Sequence, residues 1–297
     1  ETYSVYVLEG HGEPELSDNT KDRLRKAGFE LNSLVLLKEE KIPEDCSLLI
    51  INGPTSDLTD EDVSLVSEYI KNGGAGFFIA SSDILDTPNY DRLISSYGAV
   101  ITNGMIWDTD PAYSFQGVGY YIIPSTAYHE ITNNVYNNKK PNLFIESRGF
   151  TLEDTDPDLS PETLFSTSDS SLEVTTGDDG LSIEETGKEG PFALGYYSEQ
   201  ITGEKKGKVV GIGSYLFLHE EPDAMTSYAA TDVLTDAASF MCDMTLKTSI
   251  PAKQYTSDMI LVTIQAVYLF FILLVIVIPL LEIAAGIVIL ILRKRKK

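Results

Sequence analysis

The chain has 297 residues, 45 acidic against 22 basic, with a formal net charge of −23. So acidic a surface repels nucleic acid and anionic lipid headgroups and attracts cations or basic partners. The length suits one large α/β domain or two smaller ones, and the two distant cysteines, Cys46 and Cys242, form no metal-binding cluster.

The first hundred residues alternate strand and helix. Tyr3–Leu8 reads as a buried strand ending in the polar turn Glu9-Gly10-His11-Gly12-Glu13. A helix over Ser17–Ala27 stops at Gly28, and Phe29–Leu37 reads as a second strand. Ser47–Ile51 is apolar throughout, as central parallel strands are. Thr59 then opens a helix with capping-box spacing and an acidic first turn; it closes at Asn72-Gly73-Gly74, before a fourth strand over Gly76–Ala80. Short apolar strands between amphipathic helices predict a doubly wound, mostly parallel sheet with helices on both faces.

Beyond Gly98 the pattern loosens into aromatic and β-branched stretches such as Gly119–Ile123 and Asn142–Ile145. Residues 151–190 hold 12 acids against the single Lys188, and read as a loop-rich acidic insert with edge strands at Thr163–Ser166 and Ser171–Thr175. Order returns with strands over Phe192–Tyr197 and Lys208–Ile212 and a helix over Tyr228–Met244.

From Met259 to Leu292 the chain is almost wholly apolar, and it then runs into Arg293-Lys294-Arg295-Lys296-Lys297. A transmembrane helix needs about 20 such residues, and a basic flank predicts a cytoplasmic C-terminus. The expected organisation is therefore an extracytoplasmic domain over 1–248, a juxtamembrane linker over 249–262, a membrane helix over 263–292 and a cytoplasmic tail over 293–297. Setting aside Glu282 and the five basic tail residues leaves 44 acidic and 17 basic residues outside the membrane. Export needs a signal, whereas Glu1 leads straight into a strand, so the reading expects further sequence upstream, with a membrane segment. A disulfide between Cys46 and Cys242 suits an oxidising compartment, but two buried free thiols are the favoured reading.

In open parallel sheets ligands bind outside the carboxyl ends of strands. That rule selects His11 and Glu13 after the first strand, Asn52 after the third, and Ser81 and Ser82 after the fourth as ligand-facing candidates. His11 can act as a base, a ligand contact or a locally bonded turn residue, and the last is favoured. Ala80-Ser81-Ser82 lacks the glycines of a nucleophile elbow. Asp154, Asp156 and Asp158 imitate the opening of a calcium loop, but Leu159 and Phe165 stand where it needs glycine and glutamate. Neither a phosphate-binding P-loop nor a zinc constellation is present, so no cofactor or metal is expected. Within the apolar run, Pro279, Glu282 and Gly286 share one helix face, a candidate surface for a membrane partner.

Several stretches together carry a family resemblance: Val5–Gly12, Ile42-Pro43-Glu44-Asp45, Ile51-Asn52-Gly53-Pro54, Leu58-Thr59, His129-Glu130-Ile131-Thr132, Gly190–Leu194 and Val209–Gly213. Ser249–Lys253, then Val277–Leu281 followed by Gly286 and the basic tail, complete the pattern. In order and spacing the chain resembles the GldG-type, gliding-motility-like auxiliary component of ABC-2-type transporters. The resemblance implies a flavodoxin-like or glutamine-amidotransferase-like ectodomain without that chemistry. It also implies assembly with an ABC-2-type permease and a cytoplasmic ATPase that binds the ATP. The chain departs from the family at Gly213-Ser214-Tyr215, where an acidic residue is usual, and at Glu282, where an aliphatic one is. The expected function is a non-catalytic transporter subunit; the alternative is an anchored module that binds glycan or peptide.

Overall fold

The computed structural model describes residues 3–38, 41–153, 156–177 and 182–244, together with 269, 271–281, 283 and 286. Its contacts divide the chain into a unit over Glu1–Ser257 and a second over Asp258–Lys297.

The first unit opens with β1 (Tyr3–Leu8), α1 (Asp18–Lys26), β2 (Phe29–Leu34), β3 (Cys46–Asn52), α2 (Asp60–Lys71), β4 (Ala75–Ile79) and α3 (Pro88–Ser95). Ser17 caps α1 by accepting from the Thr20 amide, and the helix ends before Gly28, whose φ of +100° needs a residue without a Cβ. At α2 the capping box is complete: Thr59 accepts from the Asp62 amide and the Asp62 carboxylate accepts from that of Thr59. The chain continues through β5 (Ala99–Asp108), β6 (Tyr121–Ile122), β7 (Ser125–Thr126), α4 (Asn133–Asn137), β8 (Phe144–Ile145), β9 (Arg148–Leu152), β10 (Leu159–Ser166), β11 (Ser171–Thr176) and β12 (Ile183–Glu189). It closes with β13 (Ala193–Thr202), β14 (Lys205–Ile212), α5 (Glu220–Met225) and α6 (Ala229–Met241).

The main sheet runs β12-β11-β5-β9-β13-β14-β4-β3-β1-β2, with β10 pairing β13 and β7 off this path. Strands β2, β1, β3, β4 and β14 are mutually parallel, the expected α/β core, in an order of the flavodoxin type with β14 as the fifth strand. From β13 outward the pairing is antiparallel, so the whole is a mixed sheet. Two cores cover its faces. Leu48 and Ile50 of β3 pack with α1 and α6 on one side, whereas Leu49 and Ile51 pack with α2 and α3 on the other. Each such side chain contributes about 1.5–3 kcal/mol by leaving water, which explains why this strand reads as one unbroken apolar run.

Residues 151–190 hold more strand than expected: the expected strands Thr163–Ser166 and Ser171–Thr175 fall within β10 and β11, and β12 follows them. Strands β10, β11 and β12 occupy most of the described part and extend the sheet. Their acids conceal the alternation: in β11 the buried positions include Glu173, whose carboxylate accepts from the Gly104 amide and pairs with Lys188. The edge strand β12 is exposed at every residue, which is why Glu184, Glu185 and Glu189 look like loop. Helix α3 is also absent from the sequence expectation, although Pro88 at its first turn is the usual start signal.

In the second unit the described residues are helical, with Ile272–Val277 wound as a π-helix, and their side chains are exposed. Among the described residues no helix is long and apolar enough to cross a membrane.

Candidate functional site

The parallel core brings the carboxyl ends of β1, β3, β4 and β14 into one row. The loop after β1 is latched onto the loop after β3. The His11 carbonyl accepts from the Thr55 and Ser56 amides, both at 2.9 Å. Gly12 has φ of +77°, and a Cβ there would lie 2.0 Å from Thr55 Oγ1, so only glycine fits the approach. His11 closes the latch: Nδ1 faces Glu13 Oε1 at 3.3 Å and Nε2 faces Asp62 Oδ2 at 3.2 Å. Its amide also donates to Glu13 Oε2 at 2.8 Å.

An imidazole with a carboxylate at each nitrogen is best satisfied as the imidazolium, which donates from both. The bond to Glu13 accordingly raises the His11 pKa, although burial opposes it. Burial pushes the Glu13 and Asp62 carboxyls up, but hydrogen bonds from His11, Thr59 and the backbone outweigh it and hold both below the usual carboxylate range. His11 therefore joins the first loop to the start of α2 through both ring nitrogens, and neither is left free of a carboxylate neighbour.

Asn52 ends β3, where its side-chain amide donates to the Pro14 carbonyl at 2.8 Å. Its amide oxygen is buried and has no hydrogen-bond partner among the described residues. Ser81 is 1% exposed and its hydroxyl likewise lacks a partner, while Ser82 beside it is buried. The next residue, Asp83, has its carboxyl pushed up by burial against the pull of Arg148. Arg148 itself is committed elsewhere, bidentate to Asp91 at 2.7 and 2.6 Å and bonded to the Thr102 carbonyl. Tyr215, after β14, donates its hydroxyl to Glu146 Oε2 at 2.7 Å, and burial pushes its pKa up to about 12.

A pocket of about 270 Å³ opens between the loops after β1 and β14, lined by Glu15, Asn52, Tyr215, His219, Glu220 and Glu221 among others. Of the sequence candidates only Asn52 lines it. His11 and Glu13 belong to the latch with Asp62, and Ser81 and Ser82 are buried after β4. The sequence reading did not select Asp62, Glu146 or Tyr215. The capping box marks Asp62, and Tyr215 follows a core strand of the same row, but their partners come from distant parts of the chain.

A covalent mechanism needs a nucleophile within hydrogen-bond reach of a base, and neither Ser81 nor His11 supplies half of such a pair. Among the described residues no group of histidine, cysteine and acidic side chains is placed to hold a metal. Asp154 of the calcium-like stretch lies outside them, and Asp156 is engaged by the Asp158 amide at 3.0 Å. On the second unit, Pro279 and Gly286 lie in helix, and Glu282 is outside the described residues.

Fold and site together define an α/β domain with flavodoxin-type strand order and a latched carboxyl edge. Its sequence matches the family described as ABC-type uncharacterized transport system, auxiliary component, over residues 2–201, and the chain belongs to that family. No curated protein matches it. Among solved structures, the mmIFT52 N-terminal domain superposes with a TM-score of 0.57 at 12% identity, over 80% of this chain and 96% of that one. This likeness concerns the fold alone. A cytoplasmic protein from Salmonella typhimurium gives 0.46 at 13% identity, over 80% and 98% of the two chains. PurLQS from Thermotoga maritima gives 0.34 at 11% identity, over 81% of this chain and 100% of that one.

Proposed function

We propose that this chain is a non-catalytic auxiliary subunit of an ABC transporter, held by one C-terminal membrane helix. Its folded domain stands outside the cytoplasm on an ABC-2-type permease, which a separate cytoplasmic ATPase drives. The family match over residues 2–201 carries the reading. The apolar run Met259–Leu292 and the basic Arg293–Lys297 support the anchor and its direction. The site supports the non-catalytic role, because the imidazole at the sheet edge is already paired with two carboxylates.

Co-purification tests it. The chain is solubilised in mild detergent from its own membranes and recovered through a tag. A permease and an ATPase should accompany it in fixed ratio; a lone monomer would overturn the proposal. Protease added to intact cells should digest the domain and spare the basic tail.

A further inference from the structure

We infer that the backbone break ahead of Pro279 is a docking point for the membrane helix of a partner protein, one that carries a hydroxyl or amide donor. The inference rests on the membrane anchor proposed above and adds a polar contact to it. In an α-helix the amide of residue 279 would bond the Val275 carbonyl, but proline has no N–H and its ring collides with that carbonyl. The turns before it are wound wide: Ile272–Val277 is a π-helix, in which an N–H reaches back five residues instead of four. The Ile278 N–H does the same and donates to the Leu273 carbonyl. That register orphans one acceptor. The Leu274 carbonyl would take the Ile278 N–H in α-helical register, but this is spent on Leu273. In the wide register it would take the N–H of residue 279, which proline does not have. Leu274 is 58% exposed, and Ile278 and Pro279 are exposed too, so the break is open to a neighbour.

Lipid tails cannot answer this carbonyl. Leu274 precedes Arg293 by 19 residues, about 28 Å along a helix, and tilt lessens the depth. In the proposed anchor it therefore lies in the outer half of a hydrocarbon layer ~30 Å thick, where an unmet backbone group is costly. The chain offers no remedy of its own, because from Leu269 to Leu281 no side chain bears an N–H or O–H. A second copy alongside in the same orientation presents the same apolar stretch, so self-association leaves the demand unmet. A different membrane protein with Ser, Thr, Asn or Gln on the facing helix meets it. In the proposed complex that protein is the permease. Val275, Pro279, Glu282 and Gly286 follow one another at four, three and four residues, so by spacing the break extends the face that Glu282 and Gly286 share.

The test sets Ile278→Thr against Ile278→Val in the full chain, in its own membranes. Both keep Pro279 and a β-branched side chain. The threonine hydroxyl, however, reaches the carbonyl four residues back, that of Leu274, and meets the demand from within. A p-benzoylphenylalanine in place of Phe271, which is exposed one turn before Leu274, records the neighbour by photocrosslinking, and a tag recovers the adduct. The parent and Ile278→Val should crosslink the same membrane protein. Ile278→Thr should lower the yield about threefold or more, the factor that an average hydrogen bond between membrane helices is worth. Carbonate extraction should find all three equally anchored. Equal yields from the threonine and valine variants, no protein adduct in the parent, or an adduct with a second copy of the chain would each overturn the inference. If the contrast appears but the crosslinked protein is not a permease, the docking point stands and the transporter reading falls.

Discussion

His11 Nε2 lies 3.2 Å from Asp62 Oδ2, so a residue in the first loop is tied to the first turn of α2 across the sheet edge. With Glu13 at the other ring nitrogen, this ion triad depends on pH in both directions. The raised His11 pKa gives stability that is complete below about 6.5 and is lost as pH rises through the folded value. The lowered Glu13 and Asp62 values give stability that is complete above about 4.5 and is lost as pH falls through their folded values. His11→Ala leaves Glu13, whose side chain is 2% exposed, without its partner and should cost about 1–3 kcal/mol. Urea unfolding of both proteins across the pH range should show the largest difference at pH ~5–6 and a smaller one on either side. A difference constant with pH would remove the charged clamp.

Arg148 and Asp91 make a bidentate ion pair, with both carboxylate oxygens engaged and Arg148 almost wholly enclosed. Asp91→Asn would leave the guanidinium buried beside a neutral amide and should cost about 3 kcal/mol. Asp60→Asn breaks the exposed pair with Arg92 and should cost less than about 1 kcal/mol. Thermal unfolding of the two variants side by side decides it; equal losses would contradict the distinction.

Asp236 on α6 works in the opposite sense. Burial, followed by the nearby Asp232 carboxylate, pushes its pKa up to about 7. Between the unfolded value near 3.8 and the folded one, the native state binds the extra proton, so stability falls as pH rises. The slope is roughly 1.4 kcal/mol per pH unit in that window. Asp236→Asn should flatten it and leave the protein more stable than the parent at pH ~8. Unfolding midpoints measured from acid to mild alkali would show this, and an unaltered slope would refute it.

How far the sequence can be read follows from these contacts. Leu48–Ile51 declares a central strand because both of its faces are buried. Ile183–Glu189 conceals one because neither face is. Glu173 misleads, since a buried carboxylate satisfied by Gly104 and Lys188 has the letter of a surface residue. The rule that ligands gather at strand ends selects Asn52 and His11 by position alone. The bonds that decide their roles, to Pro14, Asp62 and Glu13, depend on loop packing that no local pattern encodes.

Cys46 and Cys242 come near one another without facing one another. The register of β1 against β3 slips between Ser4–Cys46 and Val5–Leu48, a bulge at Ser47. It turns Cys46 to the α2 face, where it donates to the Tyr69 hydroxyl at 3.5 Å. Cys242 packs on the opposite face and donates to the Ser47 carbonyl at 3.4 Å. Burial raises the two thiols to about 11 and about 12, so the thiolate is scarce at neutral pH. Both should be alkylated in the denatured chain without prior reduction, and slowly in the native one. A disulfide-linked peptide pair in the mass spectrum would contradict this.

Glu282 offers the last prediction, argued from its place in the apolar run. It precedes Arg293 by 11 residues, about 16 Å along a helix, which puts it near mid-bilayer in the proposed anchor. A charged carboxylate there costs on the order of 3 kcal/mol unless it is paired or protonated against a partner. Pro279 and Gly286 share its helix face by spacing, and Gly286 would allow a second helix to approach closely. Glu282→Leu should therefore leave membrane insertion intact, or improve it, while reducing the permease recovered with the chain. Gly286→Leu should act in the same direction by bulk alone. Carbonate extraction reads the anchoring and co-purification reads the docking. If both variants keep the permease, this helix only tethers the domain, and the docking surface lies elsewhere in the protein.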